Sequence, residues 1–208
     1  MSHPPEDVPS PIDLRTFEDA ADWEAQATSK RPWRETFFRR AAQEVAELHL
    51  SAPRVLELGS GPGFLALRVM EAIPNANYTL LDFSPAMHAL AGRRLAAFSM
   101  RTAFLERDFK ATGWSQGIGE FDAILTHQAV HELRHKNYAA ALHRQVRQIL
   151  SKRGIYLVCD HYFGDDGMTD NRLYMSVEEQ RTALSSAGFK TVEKVMQHRG
   201  LALYRACA

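Results

Sequence analysis

Three glycines at alternate positions, Gly59, Gly61 and Gly63, follow the apolar run Val55-Leu56-Glu57-Leu58 and lead into a helical apolar pattern, Phe64 to Met70. Backbone at such a turn can approach a ligand closely, because glycine has no side chain to clash and tolerates left-handed φ. The helix behind it begins with N–H groups that no carbonyl has taken and with the positive end of its dipole. A second apolar run, Tyr78-Thr79-Leu80-Leu81, ends in Asp82, about twenty residues on, where a carboxylate meets a ribose in a βαβ nucleotide site. Glycines and carboxylate together predict a site for a nucleoside cofactor. The spacing is G-x-G-x-G, whereas the dinucleotide fingerprint is G-x-G-x-x-G, so an NAD-dependent dehydrogenase is the less favoured alternative.

A second set of residues could move protons. His127, His131 and His135 recur every fourth position, and His161 follows in Asp160-His161-Tyr162-Phe163. Imidazole titrates near neutral pH and serves as a general base. Three imidazoles at helical spacing could also bind a metal, but the segment starts at a strand end, and Glu132 and Arg134 beside it suit a polar pocket rim. The favoured expectation is a pocket without metal, with His127, His131 and His161 as base candidates. Cys159 reads as core.

These residues need elements to hold them. Beyond Pro53, strands alternate with helices: strand Arg54–Leu58, helix Phe64–Ala72, strand Tyr78–Leu81, then a helix capped by Ser84 and opened by Pro85. Strands follow at Ala103–Glu106, Ala123–Thr126 and Ile155–Cys159, with a helix over Tyr138–Leu150. Ser176-Val177-Glu178-Glu179 fits a capping box, and its helix ends at Gly188. Thr191–Gln197 and Leu201–Ala206 form a hairpin around Arg199-Gly200. Upstream, Ile12–Ala27 and Pro32–Leu50 read as helices. The fold class is α/β, a Rossmann-like, doubly wound, mostly parallel sheet with a C-terminal antiparallel hairpin and an N-terminal helical cap. Residues 1–11 are expected as a disordered arm, 12–50 as the cap and 51–208 as the cofactor-binding domain.

Twenty-five basic and twenty-five acidic residues cancel, which argues against a general nucleic-acid or anionic-membrane binder. No run of about eighteen apolar residues exists. The polar, proline-rich N-terminus lacks a signal-peptide core, and the two cysteines read as thiols, which points to the cytoplasm.

The order of these parts resembles the class I S-adenosylmethionine-dependent methyltransferases, over about Pro53 to Ala208. The resemblance implies that Gly59, Gly61 and Gly63 cradle the methionine moiety of S-adenosylmethionine, and that Glu57 orders the loop and the cofactor's ammonium group. It implies that Asp82 accepts from both ribose hydroxyls, that Phe83 and Met87 pack on an adenine face, and that Asp108 and Phe109 read and close the adenine pocket. Lys30-Arg31-Pro32-Trp33-Arg34 lies where family members carry a cofactor lid, and Arg34 is the expected partner of the cofactor carboxylate. Enzymes of this kind that methylate amino groups of nucleobases or glutamine often carry Asn or Asp and two prolines after the fourth strand. Thr126-His127-Gln128-Ala129 stands here instead, so a small-molecule acceptor is expected. A macromolecule methyltransferase, which would need a basic recruiting surface that the sequence does not reveal, and a noncatalytic cofactor-binding regulator are the remaining alternatives.

Overall fold

A computed structural model describes residues 5–10 and 14–208. Its elements are α1 (Phe17–Lys30), α2 (Arg34–Ala46), β1 (Arg54–Leu58), α3 (Phe64–Ala72), β2 (Asn77–Asp82), α4 (Pro85–Arg94), β3 (Thr102–Glu106) and β4 (Phe121–His127). They continue with α5 (Ala139–Gln148), β5 (Leu150–His161), α6 (Val177–Ser186), β6 (Thr191–His198) and β7 (Leu201–Cys207). The seven strands form one sheet in the order β3-β2-β1-β4-β5-β7-β6. β1 to β5 pair in parallel, and β7 is antiparallel to both β5 and β6. The chain direction across the sheet reverses between β1 and β4. In open α/β sheets that switch point, at the carboxyl ends of the strands, is where ligands bind.

The inner strands are apolar on both sides because both faces are covered. Phe37, Phe38, Leu65, Val69, Leu80 and Leu157 pack on the α2–α3 side. Leu56, Ile124, Leu142, Tyr156, Leu184 and Tyr204 pack on the α5–α6 side. Caps are those the side chains allow. Ser84 Oγ accepts from the Met87 N–H with Pro85 in the first turn, and Ser176 and Glu179 close the capping box.

Several boundaries differ from the sequence reading. The first helix starts at Phe17, where Thr16 Oγ1 accepts from the Asp19 N–H; Ile12 lies outside the described residues. The second starts at Arg34 and stops at Ala46, four residues short of Leu50, with Pro32 in the preceding turn. β5 is twelve residues long instead of five, because it pairs with β4 on one edge and β7 on the other. Residues 5–10, expected to be disordered, are an irregular strap tied to the body. Arg134 Nε and Nη2 donate to the Val8 and Pro9 carbonyls at 2.7 and 2.6 Å, and the Tyr138 hydroxyl donates to the Pro5 carbonyl at 3.0 Å. Residues 1–4 and 11 lie outside the described part. No helix among the described residues is long and apolar enough to cross a membrane.

Candidate active site

A cavity of about 540 Å³ opens at the switch point, within the ~300–1,000 Å³ range of small-ligand sites. Of the residues singled out for a cofactor, all but Gly63 line it: Arg34, Glu57, Gly59, Gly61, Asp82, Phe83, Met87, Asp108 and Phe109. Gly63 sits at the start of α3, where a Cβ would lie 3.2 Å from that of Ala91. Its place is close packing of α3 against α4.

The loop after β1 is built around three left-handed glycines, of which Gly59 and Gly61 line the cavity. Gly59 has φ +64, and a Cβ there would lie 2.5 Å from the Cβ of Ala129. Gly61 has φ +53, and a Cβ there would meet nothing within 4 Å. The first glycine lets β1 and β4 close up, and the second leaves its space to the cavity. Asp82 pins the loop: Oδ2 accepts from the Gly61 N–H at 2.8 Å and Oδ1 from the Ser84 N–H at 2.9 Å. Its burial pushes its pKa up, against the pull of those backbone donors. Asp82 therefore has a structural task at one edge of its carboxylate in addition to the ribose task expected of it.

Glu57 is buried at the end of β1 and accepts from the Tyr78 hydroxyl at 2.8 Å. Burial raises its pKa to about 8; the Tyr78 bond works the other way, and Asp82 adds to the rise. Arg34, on α2, is also buried. Its guanidinium lies over the rings of Trp23, Phe38 and Phe64 at 5.2, 5.3 and 5.8 Å, and its Nε has no hydrogen-bond partner. Burial, and then Arg31 nearby, lower its pKa to about 10. One wall thus holds a buried acid and a buried guanidinium that form no ion pair with a described residue, groups that the ammonium and carboxylate of an α-amino acid would complement. Phe83, under the Arg15 guanidinium at 5.2 Å, and Met87 line the next stretch. Asp108 Oδ1 takes the Lys110 N–H at 2.9 Å.

His127, His131 and His161 line the same cavity, and their environments differ. His131 Nδ1 is 2.7 Å from Asp160 Oδ1, and its Nε2 is 3.3 Å from Glu132. Burial disfavours its charge, but Asp160 and Glu132 outweigh burial and raise its pKa to about 10. His161 goes the opposite way, down to about 4, because burial exceeds the pull of Asp160. His127 is pressed against Phe38 at 4.7 Å, with neither ring nitrogen partnered, and burial holds its pKa well below the usual value. His135 does not line the cavity; its Nδ1 accepts from the Asn137 N–H at the head of a short turn. Among the described residues no cluster of three or more His, Cys, Asp or Glu is arranged to hold a metal.

Sequence reasoning gave no site role to Tyr78, Gln128, Asp160 or Trp23, and named Arg31 only within the lid segment; Trp23 and Arg31 lie beside Arg34. Asp160 carried the one usable signal, an acid at a strand end directly before a candidate histidine. Its partner is His131, twenty-nine residues upstream.

Residues 55–154 match the family model of a methyltransferase domain. A demethylmenaquinone methyltransferase of Thermus thermophilus is 38% identical over 87 residues, 42% of this chain and 38% of its own length. A release factor glutamine methyltransferase of Deinococcus radiodurans is 36% identical over 83 residues, 40% of this chain and 29% of its own length. The matched stretch is thus well under half of either curated relative. Among solved structures, human N-acetylserotonin methyltransferase in complex with S-adenosylmethionine has a TM-score of 0.70 at 18% identity, covering 93% of this chain and 57% of that one. At that identity the likeness is one of fold.

Proposed function

We propose that the chain is a class I S-adenosylmethionine-dependent methyltransferase, as the methyltransferase-domain match over residues 55–154 supports, and that it transfers a methyl group to a small-molecule acceptor by in-line displacement. S-adenosylmethionine is the cofactor, and it supplies a methyl group activated on a sulfonium, which leaves as a neutral thioether. The observation that carries the reading is the pairing of unmet needs on one cavity wall. Glu57 forms no ion pair with a described residue, the Arg34 Nε lacks an acceptor, and a Cβ at Gly61 would meet nothing within 4 Å. In this reading Glu57 takes the ammonium, Arg34 the carboxylate and Asp82 the ribose hydroxyls. Phe83, Met87, Asp108 and Phe109 enclose the adenine. Residues 51–208 act as the methyltransferase domain and 12–50 as its helical cap.

His127, His131 and His161 face the acceptor. Catalysis here is mostly positioning of the nucleophile, and a base matters when the acceptor must lose a proton. His131, once it has given up its own proton, is the residue we assign to receive such a proton, and Asp160 stabilises the imidazolium that results. His127 and His161, neutral and held in place, shape the pocket. The cavity, of a size for a small ligand, supports a small molecule over a polymer, as does the zero net charge. Cys159 and Cys207 are both free thiols, which supports a cytoplasmic site of action.

Calorimetry with S-adenosylmethionine, S-adenosylhomocysteine and NAD tests the premise. The first two should bind and NAD should not; NAD binding alone would move the chain to another enzyme class. A metabolite extract incubated with methyl-labelled cofactor then identifies the acceptor, and no label transfer with intact binding would favour a regulator.

A further inference from the structure

Buried polar side-chain atoms without partners gather on this cavity. Arg34 Nε and Ser60 Oγ lie on the side assigned to the cofactor; both ring nitrogens of His127 and Oε1 of Gln128 lie at the end of β4, on the acceptor side. The Gln128 oxygen is informative because of the hydrogen bond behind it. A neutral imidazole carries one proton, on one of its two nitrogens, and the other nitrogen accepts. His161 Nε2 lies 2.7 Å from Gln128 Nε2. An amide nitrogen only donates, so His161 Nε2 accepts and the imidazole proton sits on Nδ1.

The Gln128 backbone is fixed as well. Its φ is +56, and its N–H donates to the Cys159 carbonyl at 2.7 Å. With His161 in that tautomer, the amide cannot turn over without opposing its NH₂ to nothing and its oxygen to a lone pair. Oε1 is therefore left as a buried acceptor with no donor, on a residue that lines the cavity. Such an atom is unfavourable until something donates to it.

We propose that Gln128 selects the acceptor: the molecule methylated presents an N–H or O–H to Gln128 Oε1, so hydroxyls, amines and amides are admitted and a bare carboxylate is repelled. This rests on the methyltransferase reading above. His161 is a positioning residue that acts through Gln128. The competing influence is Arg31, which lines the same cavity and makes no ion pair with a described residue. If Arg31 governed selection, an oxyanion would be preferred.

Two measurements on the full chain separate these. Long-range ¹H–¹⁵N spectra of the imidazoles at neutral pH should give His161 as neutral and protonated on Nδ1. In Gln128→Glu, which keeps an acceptor in the cavity but has nothing to donate, the His161 proton should shift to Nε2 or a second proton should add. Second, the protein saturated with S-adenosylhomocysteine is titrated with phenol, aniline, anisole and benzoate. Phenol and aniline should bind about tenfold or more tightly than anisole and benzoate, the value of one well-made hydrogen bond. Gln128→Leu should erase that preference while binding S-adenosylhomocysteine as before. An Nε2-protonated His161 in the parent protein, benzoate as the tightest probe, or a preference that survives Gln128→Leu would each overturn the proposal. Failure of S-adenosylhomocysteine to bind would instead remove the methyltransferase reading, and the His161 tautomer would still decide the polarity at Gln128.

Discussion

Raising the pH from about 6 to about 8 perturbs Glu57 without changing a residue. With its pKa near 8, set by burial and opposed by the Tyr78 hydroxyl, the empty protein carries this group protonated at neutral pH. A carboxyl that receives an ammonium must ionise, so binding releases a proton. The ionised fraction before binding is about 0.01 at pH 6, about 0.09 at pH 7 and about 0.5 at pH 8. Affinity for S-adenosylhomocysteine should therefore rise about tenfold from pH 6 to 7 and about fivefold from 7 to 8. It should level off above that, where Glu57 is already ionised before binding. Calorimetry near pH 7 in two buffers of different ionisation heat should report release of about 0.9 proton from this group. Glu57→Gln should abolish both the release and the pH slope. The sign for stability is opposite: Glu57 has a folded pKa above its ordinary 4.5, so its contribution is full below about 4.5 and lost as pH climbs through about 8. The empty protein should melt at lower temperature across that window. A pH-independent affinity with no proton release in the parent protein would refute the placement of an ammonium at Glu57.

Gly61→Val directs a side chain into the open cavity from a left-handed residue; S-adenosylhomocysteine binding should vanish in calorimetry, with the far-ultraviolet circular dichroism nearly unchanged. Asp82→Ala removes the acceptor for the ribose and for two backbone N–H groups; affinity should fall at least tenfold, by the loss of charge-assisted bonds worth roughly 1.5–3 kcal/mol each, and unchanged affinity would exclude the ribose assignment. His131 holds its proton up to about pH 10, since Asp160 and Glu132 outweigh the burial that opposes its charge. If it receives the acceptor's proton, turnover should climb about tenfold per pH unit above neutrality, and His131→Ala should lower it about 10²- to 10⁴-fold. A flat profile with an active variant would remove His131 from proton transfer.

The parts that local chemistry dictates were legible in the sequence. Gly59 and Gly61 demand left-handed backbone, Asp82 closes an apolar run, and Ser84-Pro85 opens a helix whatever surrounds it. The parts that depend on distant partners were not. Nothing near Glu57 announces that Tyr78 will bond to it from the neighbouring strand, and the register of β1 on β2 is what brings them together. The same holds for Asp160 and His131, joined because β4 and β5 end side by side. Gln128 in a left-handed conformation was also invisible, since glutamine has no preference for it; the tight exit from β4 imposes it. Helix ends were the least readable, as in α2, where apolar spacing continues to Leu48 although the helix stops at Ala46.

β7 comes last along the described chain, yet it lies inside the sheet and not at its rim. All seven of its residues pair with β5, from Leu201 opposite His161 to Cys207 opposite Ile155. During synthesis the parallel strands before it can assemble, but one side of β5 stays bare for the thirty-nine residues between His161 and Leu201. That side is a row of unpaired amides flanked by Tyr156, Leu157 and Val158, a template for another nascent chain. β6 is a poor substitute, because its side chains are mostly exposed where those of β7 are buried. A ribosome that stalls before Leu201 therefore leaves a sticky intermediate, and a C-terminal truncation would be read out first as aggregation, ahead of any loss of catalysis.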